Sequence, residues 1–149
     1  MFATEWTLGA AAAHEALDIR RQVFTGELGR PAGDVFDAYD IYAAHLLIRQ
    51  DGAPIASARL YAIEGGLCAS HICVLEGYRR QRYGDLAFRA IMNRAARMRA
   101  PLLEIAADQA YISYFLKFGF CPAGEVTRGA ALMRVDPAAI VWARPCKGG

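Results

Sequence analysis

The residues best suited to chemistry lie in a short basic turn that joins a predicted strand to a predicted helix. Arg79, Arg80 and Arg82 follow the apolar run 72–75, and Gly84 comes just after them. Backbone N–H groups at the start of a helix have no partner inside that helix, and the helix dipole adds partial positive charge there. Gly84 would let a ligand approach the backbone closely, and the arginines would add charge-assisted hydrogen bonds. The segment therefore predicts a site for a phosphate or a pyrophosphate.

A basic loop before a helix is also commonly a solvated connection, and the residues alone leave that alternative open. Two nucleotide-binding turns are excluded, because the sequence contains neither GxxxxGK[ST] nor GxGxxG. The formal net charge is +2, which is too small to indicate nucleic-acid binding. We therefore expect no nucleic-acid partner.

Hydrophobic periodicity predicts strands and helices packed in layers, an α/β arrangement of the α+β type with helices on a mixed sheet. Asp51-Gly52 marks a hairpin turn and Pro101 ends the clearest helix. The predicted strands are Thr4–Leu8, Tyr42–Ile48, Pro54–Tyr61, Leu67–Leu75, Leu102–Ala107, Ala130–Val135 and Ala139–Ala143. The predicted helices are Ala10–Phe24, Tyr83–Met98 and Gln109–Phe118, and Thr25–Asp40 is predicted to be a long irregular connection with room for one turn of helix.

The bulk composition fits one domain, residues 1–149, with enough chain to bury a core. Charged residues interrupt every apolar stretch before it reaches membrane length, so we expect no membrane partner. The alanines at 10–13 lack the basic flank of a signal peptide, and we expect a cytoplasmic protein. The four cysteines form no closely spaced pair, which predicts reduced thiols and no metal site.

The basic turn resembles a known family motif. The run VLEGYRRQRYGDL, residues 74–86, is similar to motif A of the GNAT acetyltransferases, whose usual form is V-x-x-x-[Y/F]-[R/Q]-G-x-G-[I/Y/V]-G-x-x-L. Arg79 matches the leading Arg or Gln, and Gly84 matches the last glycine. Arg80 and Arg82 stand where the family has glycines. Their side chains would either clash with a cofactor or contact its phosphates, and the sequence leaves both outcomes open.

Two further matches follow in the family's order. Residues 108–120, DQAYISYFLKFGF, resemble the closing motif [N/Q]-x-x-A-x-x-F-Y-x-K-x-G-F. Residues 19–60 resemble the front half of a GNAT subgroup, which reads iR-x-x-VF-x-x-E, then D-x-yD, a-x-HLL and aRL. The resemblance implies the GNAT fold, a central mixed, mostly antiparallel sheet flanked by helices.

The resemblance also implies acetyl-CoA, or another acyl-CoA, as the cofactor. The sheet would splay near Val74, and the turn from Arg79 to Gly84 would hold the pyrophosphate. The implied cofactor-binding residues are Ile72, Cys73, Val74, Arg79, Arg80, Gln81, Arg82, Tyr83, Gly84, Asp85, Asp108 and Phe115.

The catalytic residues are less clearly marked. Phe115 replaces the tyrosine that often serves as the acid in this family, and Asp108 replaces the Asn or Gln that often contacts the pantetheine. Tyr114 is adjacent, but neighbours on a helix point about 100° apart. The catalytic candidates are Tyr114, His71 and Glu104. The alternative is a core aromatic for Tyr114 and a core or edge histidine for His71, and the pattern leaves open which way Glu104 points.

The acceptor site is predicted in the long connection. Glu27, Asp37 and Asp40 would hold a cationic amine there, and a solvated loop face is the alternative. The resulting hypothesis is an N-acetyltransferase that acts on a primary amine of a small molecule or peptide, with a homodimer allowed by the resemblance. The alternative is a catalytically weakened protein of the GNAT fold that binds an acyl-CoA as a sensor or interaction module. A third idea, an acyl-homoserine-lactone synthase, has only the front half in its favour.

Overall fold

A computed structural model describes residues 1–124 and 130–142. These residues form a seven-stranded sheet with helices on both faces. The strands are β1 (Phe2–Leu8), β2 (Ala44–Gln50), β3 (Ala53–Ile63), β4 (Gly66–Val74), β5 (Leu103–Asp108), β6 (Cys121–Pro122) and β7 (Ala130–Val135). The α-helices are α1 (His14–Arg20), α2 (Ala32–Val35), α3 (Tyr83–Arg97) and α4 (Ile112–Lys117), and a π-helical segment, Arg21–Glu27, continues α1.

The sheet is mixed and mostly antiparallel, as predicted. Its strand order is β1-β2-β3-β4-β5-β7-β6, and only the β4–β5 pair is parallel within the described residues. The hairpin at Asp51-Gly52 is confirmed, with φ of 50° and 85° at its two central residues. The long α3 crosses from β4 back to the parallel β5, which is the usual connection between parallel neighbours.

The two central strands separate along their length. β4 and β5 pair only from Leu67–Leu103 to Ala69–Ile105. Beyond Ala69 the remaining residues of β4, up to Val74, pair with β3 alone. A wedge therefore opens between β4 and β5, where backbone groups of β4 have no strand partner among the described residues.

A bulge in β4 lies in the opened part. Ser57 of β3 pairs with Cys73, whereas Arg59 pairs with Ser70, so two residues of β4 stand opposite one residue of β3. His71 is one of the two, and its φ of 53° places it in the left-handed region. A bulge re-aims side chains and strengthens twist. It therefore turns His71 away from the regular alternation of the strand.

Both faces of the sheet are covered. The larger core packs α3 and α4 on one face, with Ile91, Met92 and Phe115 fully buried. A smaller core on the other face packs α1 and the π-helical segment through Ile19 and Val23. No helix among the described residues is long and apolar enough to cross a membrane.

Some predicted boundaries are wrong. The predicted helix Ala10–Phe24 is divided, because the 3-10 turn Ala10–Ala12 precedes α1 and the π-helical segment extends to Glu27. The predicted irregular connection Thr25–Asp40 contains the end of that segment, α2 and most of the 3-10 turn Ala38–Ile41.

The last predicted strand, Ala139–Ala143, is also wrong over its described residues. Asp136 accepts a hydrogen bond from the backbone N–H of Ala138 at 2.9 Å and caps the 3-10 turn Pro137–Ala139. This cap favours a turn over an extended chain. Residue 143 lies outside the described residues. The two-residue β6 was missed, because so short a strand leaves no periodic pattern.

Candidate functional site

The turn before α3 has the backbone shape that the resemblance expects of glycines. Arg80 and Arg82 have φ of 64° and 66°, and Arg82 directly precedes the first residue of α3. The left-handed region costs a residue with a Cβ about 1–2 kcal/mol. The arginines therefore preserve the conformation at both positions, and both side chains are exposed rather than folded into the turn. The first backbone N–H groups of α3 therefore lie next to the positive charges of Arg80 and Arg82.

A cleft of about 620 Å³ opens at this turn. It lies where the C-terminal end of β4 meets the N-terminus of α3 and the π-helical segment. Of the implied cofactor-binding residues, it is lined by Ile72, Cys73, Val74, Arg79, Arg80, Arg82, Tyr83, Gly84 and Asp85. The other lining residues are Val23, Phe24, Leu28, Tyr78, Phe88, Tyr111 and Tyr114.

Arg79 is held by a carboxylate across the cleft. Its two terminal nitrogens donate to the two carboxylate oxygens of Glu27 at 2.7 and 2.6 Å, and its Nε donates to the Val74 carbonyl at 3.0 Å. The hydrogen bond from Arg79 lowers the pKa of Glu27, and the same bond raises the pKa of Arg79. Glu27, predicted to bind an acceptor amine, is instead already paired with a cation.

Tyr114 and Asp85 form a second pair inside the cleft. The Tyr114 hydroxyl donates to Asp85 Oδ1 at 2.5 Å, and Arg89 Nε donates to Asp85 Oδ2 at 3.0 Å. Burial, and then the hydrogen bond to Asp85, raise the pKa of Tyr114 well above its usual value. Tyr114 therefore keeps its proton and directs it to a carboxylate.

The other predicted site residues lie elsewhere. Phe115 is fully buried among aromatic rings, with the Phe88 ring centroid at 4.9 Å and that of Phe120 at 5.1 Å. Glu104 faces away from the α3 side of β5 and pairs with Arg134 at 2.6 Å. Exposed Asp108 accepts a hydrogen bond from the backbone of Ala110. None of these three lines the cleft, and neither does exposed Gln81.

The predicted acceptor residues Asp37 and Asp40 belong to a charge network on the α1 face. Arg20 donates to Asp40 at 2.7 Å, and Arg59 donates to Asp37 at 2.5 Å and to Asp40 at 3.2 Å. Burial alone would raise the pKa of Asp40, but the hydrogen bonds from Arg20 and the Asp37 backbone and the two arginine charges hold it below its usual value. Both acids are therefore neutralised by arginines.

The same network extends to His71. Arg59 Nε donates to the Ser70 hydroxyl oxygen at 3.0 Å, and that hydroxyl lies 3.1 Å from Nδ1 of His71. Arginine cannot accept a hydrogen bond, so the hydroxyl hydrogen must find its acceptor elsewhere. The other hydrogen-bond partner of this hydroxyl among the described residues is Nδ1 of His71, and which of the two atoms donates depends on the imidazole tautomer. We infer that Ser70 donates to Nδ1, which places the ring hydrogen of neutral His71 on Nε2.

Both histidines near the network are poor bases. Burial, followed by the charges of Arg20 and Arg59, lowers the pKa of His71 to about 4. Burial also lowers the pKa of His45, whose Nε2 lies 3.0 Å from the Asp40 carbonyl oxygen. His71 is neutral at physiological pH and presents a hydrogen-bond donor at Nε2.

Sequence reasoning missed Arg59, Ser70 and Arg20 as parts of one network. A signal was present, because the front-half match contains Arg20, Asp37, Asp40, His45 and Arg59 together. Arginines and aspartates that occur together in one family match are candidates for ion pairs in the folded protein.

The cleft has the features that an acyl-CoA pyrophosphate requires. Backbone N–H groups at the start of α3 stand beside Arg80 and Arg82, and a Cβ placed on Gly84 would have no neighbour closer than the Tyr111 hydroxyl at 4.0 Å. The wedge between β4 and β5 adds unpaired backbone for an extended chain. Among the described residues, no group of His, Cys, Asp and Glu could hold a metal ion.

Comparison with known proteins agrees with this geometry. The sequence profile described as the acetyltransferase (GNAT) family matches residues 13–120. A Bacillus subtilis (strain 168) protein provisionally named as an acetyltransferase is 25% identical over 115 residues, which cover 75% of this chain and 78% of the relative.

Solved structures share the fold. An acyl-CoA N-acyltransferase from Pseudomonas aeruginosa matches with a TM-score of 0.75 at 23% identity, covering 89% of this chain and 99% of that one. The PaiA N-acetyltransferase from Thermoplasma acidophilum, solved in complex with coenzyme A, matches with a TM-score of 0.62 at 11% identity. The match covers 90% of this chain and 99% of that one. The family profile spans most of the sequence, and the chain belongs to the acetyltransferase (GNAT) family.

Proposed function

We propose that the protein transfers the acetyl group of acetyl-CoA to a primary amine of a small molecule or peptide. The observation that carries the proposal is the meeting of two features at one point. The wedge between β4 and β5 opens where the basic turn brings Arg80 and Arg82 to the start of α3. Family membership and the coenzyme A complex of a protein with the same fold support the same ligand.

The turn and the wedge would bind different parts of acetyl-CoA. The first N–H groups of α3, with Arg80 and Arg82, would hold the pyrophosphate by charge-assisted hydrogen bonds. The free backbone edge of β4 between Ser70 and Val74 would receive the extended pantetheine arm. Asp85 opposes anion binding in the same turn, and its pairing with Arg89 reduces that opposition.

Acetyl-CoA supplies a thioester, whose acyl carbon forms a C–N bond with the neutral amine while the C–S bond breaks and CoA leaves as the thiol. The chain positions these groups and polarises the acyl carbonyl through backbone N–H groups near Cys73 and Val74. Preorganised backbone donors of this kind stabilise developing oxyanions without rearrangement. Positioning alone accounts for a large part of such rate enhancements.

Proton transfer is assigned to solvent rather than to a side-chain base. Glu27, Asp37 and Asp40 are each paired with arginine, and neutral His71 offers a donor at Nε2. The amine would lose its proton to water before attack, and His71 would orient the acceptor by donating a hydrogen bond. Tyr114 is a weak acid while Asp85 holds its proton, so we give it a hydrogen-bonding role.

A second candidate function is acyl-CoA binding without turnover. The burial of Phe115 and the pairing of Arg79 with Glu27 favour it, because they remove the usual acid and restrain an arginine of the turn. The two functions differ in whether free thiol is released.

The test is release of CoA thiol from acetyl-CoA in the presence of a panel of primary amines, with each amide product identified by mass. Gly84→Glu is the matched control, because a carboxylate near the start of α3 suits the helix dipole but repels a pyrophosphate. The proposal predicts amine-dependent thiol release by the wild type and its loss in the variant. CoA binding without thiol release for any amine would instead support the second candidate.

A further inference from the structure

A second groove lies on the opposite flank of α3, between that helix and the edge strand β1. Its volume is about 540 Å³, and it shares no lining residue with the cofactor cleft. We call it the aromatic–arginine groove and define it by Phe2, Trp6, Arg94, Arg97 and Trp142. Phe2 and Trp6 lie on one face of β1, because side chains alternate along a strand. Arg94 and Arg97 are three residues apart and share a face of α3.

The groove carries positive charge that the described residues do not neutralise. None of the ion pairs among them involves Arg94 or Arg97, and no Asp or Glu is among the residues that line the groove. Nε of Arg94 is buried and has no hydrogen-bond partner in the described part of the chain. A buried donor without a partner is costly and uncommon in native proteins. The groove therefore offers an anion two arginines whose charge no described acid neutralises.

The aromatic walls add a second kind of recognition. The Arg94 guanidinium carbon lies 4.8 Å from the centroid of the Trp6 ring. Phe2 is 55% exposed and Trp142 is 45% exposed, although both are large apolar side chains. Exposed aromatic faces beside arginines are suited to stacking a flat ring.

We propose that the aromatic–arginine groove binds a small anionic ligand that carries a flat aromatic ring, with the anion on Arg94 and Arg97 and the ring against the exposed Phe2 and Trp142. A nucleoside monophosphate has both features. This site is separate from the acyl-CoA cleft, and the inference does not depend on the proposed function.

The position of the tryptophans gives a direct readout. The sequence contains two tryptophans, and both line this groove, so intrinsic tryptophan fluorescence is a readout of binding there, and the variants below test whether the signal comes from this groove. The experiment titrates adenosine 5′-monophosphate into the full chain, with excitation beyond the absorption of adenine. Adenosine tests the ring without the charge, and inorganic phosphate tests the charge without the ring. The proposal predicts saturable quenching by the monophosphate at concentrations where neither control ligand has an effect.

Two variants locate the binding. Arg94→Gln and Arg97→Gln each remove one charge-assisted contact. Each variant is therefore expected to raise the dissociation constant of the monophosphate about tenfold. Glutamine is a good helix former, and the exposed Arg97 can be replaced without disturbing the fold. Gly84→Glu blocks the acyl-CoA cleft and is expected to leave the quenching unchanged.

Three results would overturn the proposal. The first is the absence of saturable quenching by the monophosphate. The second is equal binding by the wild type and the Arg97→Gln variant. The third is loss of quenching in Gly84→Glu, which would assign the binding to the acyl-CoA cleft. None of these results bears on thiol release, so failure here is distinguishable from failure of the proposed function.

Discussion

Arg79 and Glu27 face each other across the cofactor cleft in a two-point ion pair, with nitrogen–oxygen distances of 2.7 and 2.6 Å. The pair ties the end of the π-helical segment to the turn before α3. It also holds the arginine of the motif against a carboxylate rather than toward a phosphate. Glu27 therefore neutralises part of the positive charge at the cleft.

Glu27→Gln is expected to strengthen CoA binding. Loss of the carboxylate frees Arg79 for a pyrophosphate oxygen, so the dissociation constant should fall about fivefold. Calorimetric titration of CoA measures this change. Glu64→Gln, at an exposed hairpin acid, is the matched control and should bind CoA as the wild type does. Weaker binding by Glu27→Gln would show that Glu27 positions Arg79 productively.

Arg82→Gly is expected to stabilise the fold while weakening CoA binding. Glycine relieves the left-handed strain but gains freedom in the unfolded chain, so the free energy of unfolding is expected to rise by about 0.5–1 kcal/mol. CoA affinity should fall, because a positive charge is lost from the turn. Arg99→Gly is the matched control, since Arg99 has a φ of 54° at the opposite end of α3. Denaturant unfolding should show a similar gain for Arg99→Gly, with CoA affinity unchanged.

His71 makes stability depend on pH in a defined direction. Its pKa falls from the usual 6.5 to about 4 on folding, so the folded state prefers the neutral ring. The resulting stability is fully present above pH 6.5 and is lost as the pH falls toward 4, by at most about 3 kcal/mol.

His71→Asn should reduce this dependence, because asparagine tolerates the positive φ and does not titrate. The measurement is chemical unfolding of the wild type and the variant between pH 7 and pH 4, which gives the free energy of unfolding as a function of pH. His45, whose pKa is also lowered, contributes equally to this pH dependence in both proteins. Equal slopes for the two proteins would contradict the burial of neutral His71. Nitrogen NMR of the imidazole adds a check on the tautomer, which should carry its hydrogen on Nε2.

Tyr114→Phe is expected to lower kcat by less than about tenfold, because the phenol proton is held by Asp85. A general acid would contribute about a hundredfold or more. Steady-state rates at saturating acetyl-CoA distinguish the two roles, with Tyr111→Phe as a control in the same cleft. A hundredfold loss confined to Tyr114→Phe, with a change in the alkaline limb of the pH profile, would make Tyr114 the acid.

The sequence predicted the layers of the fold well because hydrophobic period and turn chemistry are local properties. Asp51-Gly52 predicted the hairpin, and the apolar stripe of α3 predicted which face of that helix is buried. The basic turn was likewise visible, since three arginines before a helix need no tertiary information. The π-helical segment and the two-residue β6 were not visible, because neither leaves a distinctive local pattern.

The roles of the charged residues could not be predicted in the same way. Asp40 and Glu27 were expected to be available for an amine, but Asp40 faces Arg20 at the end of α1, and Glu27 faces Arg79 in the turn before α3. Partner choice depends on packing between segments distant in sequence. Phe115 was expected at the cofactor, yet its register on α4 points it into the aromatic core. Such orientations are set by helix rotation, which residue type alone does not specify.

The central claim, that the turn before α3 binds the pyrophosphate of an acyl-CoA, is tested most directly by calorimetric titration of CoA into the wild type, Gly84→Ala and Gly84→Glu. The protein leaves room for a methyl group at Gly84, so Gly84→Ala should fold normally, but the methyl group would occupy the space of the pyrophosphate and should weaken CoA binding moderately. Gly84→Glu should lose about a hundredfold or more in affinity while its thermal stability is maintained by the helix dipole. A wild type that does not bind CoA, or a Gly84→Glu variant that binds it equally well, would contradict the account.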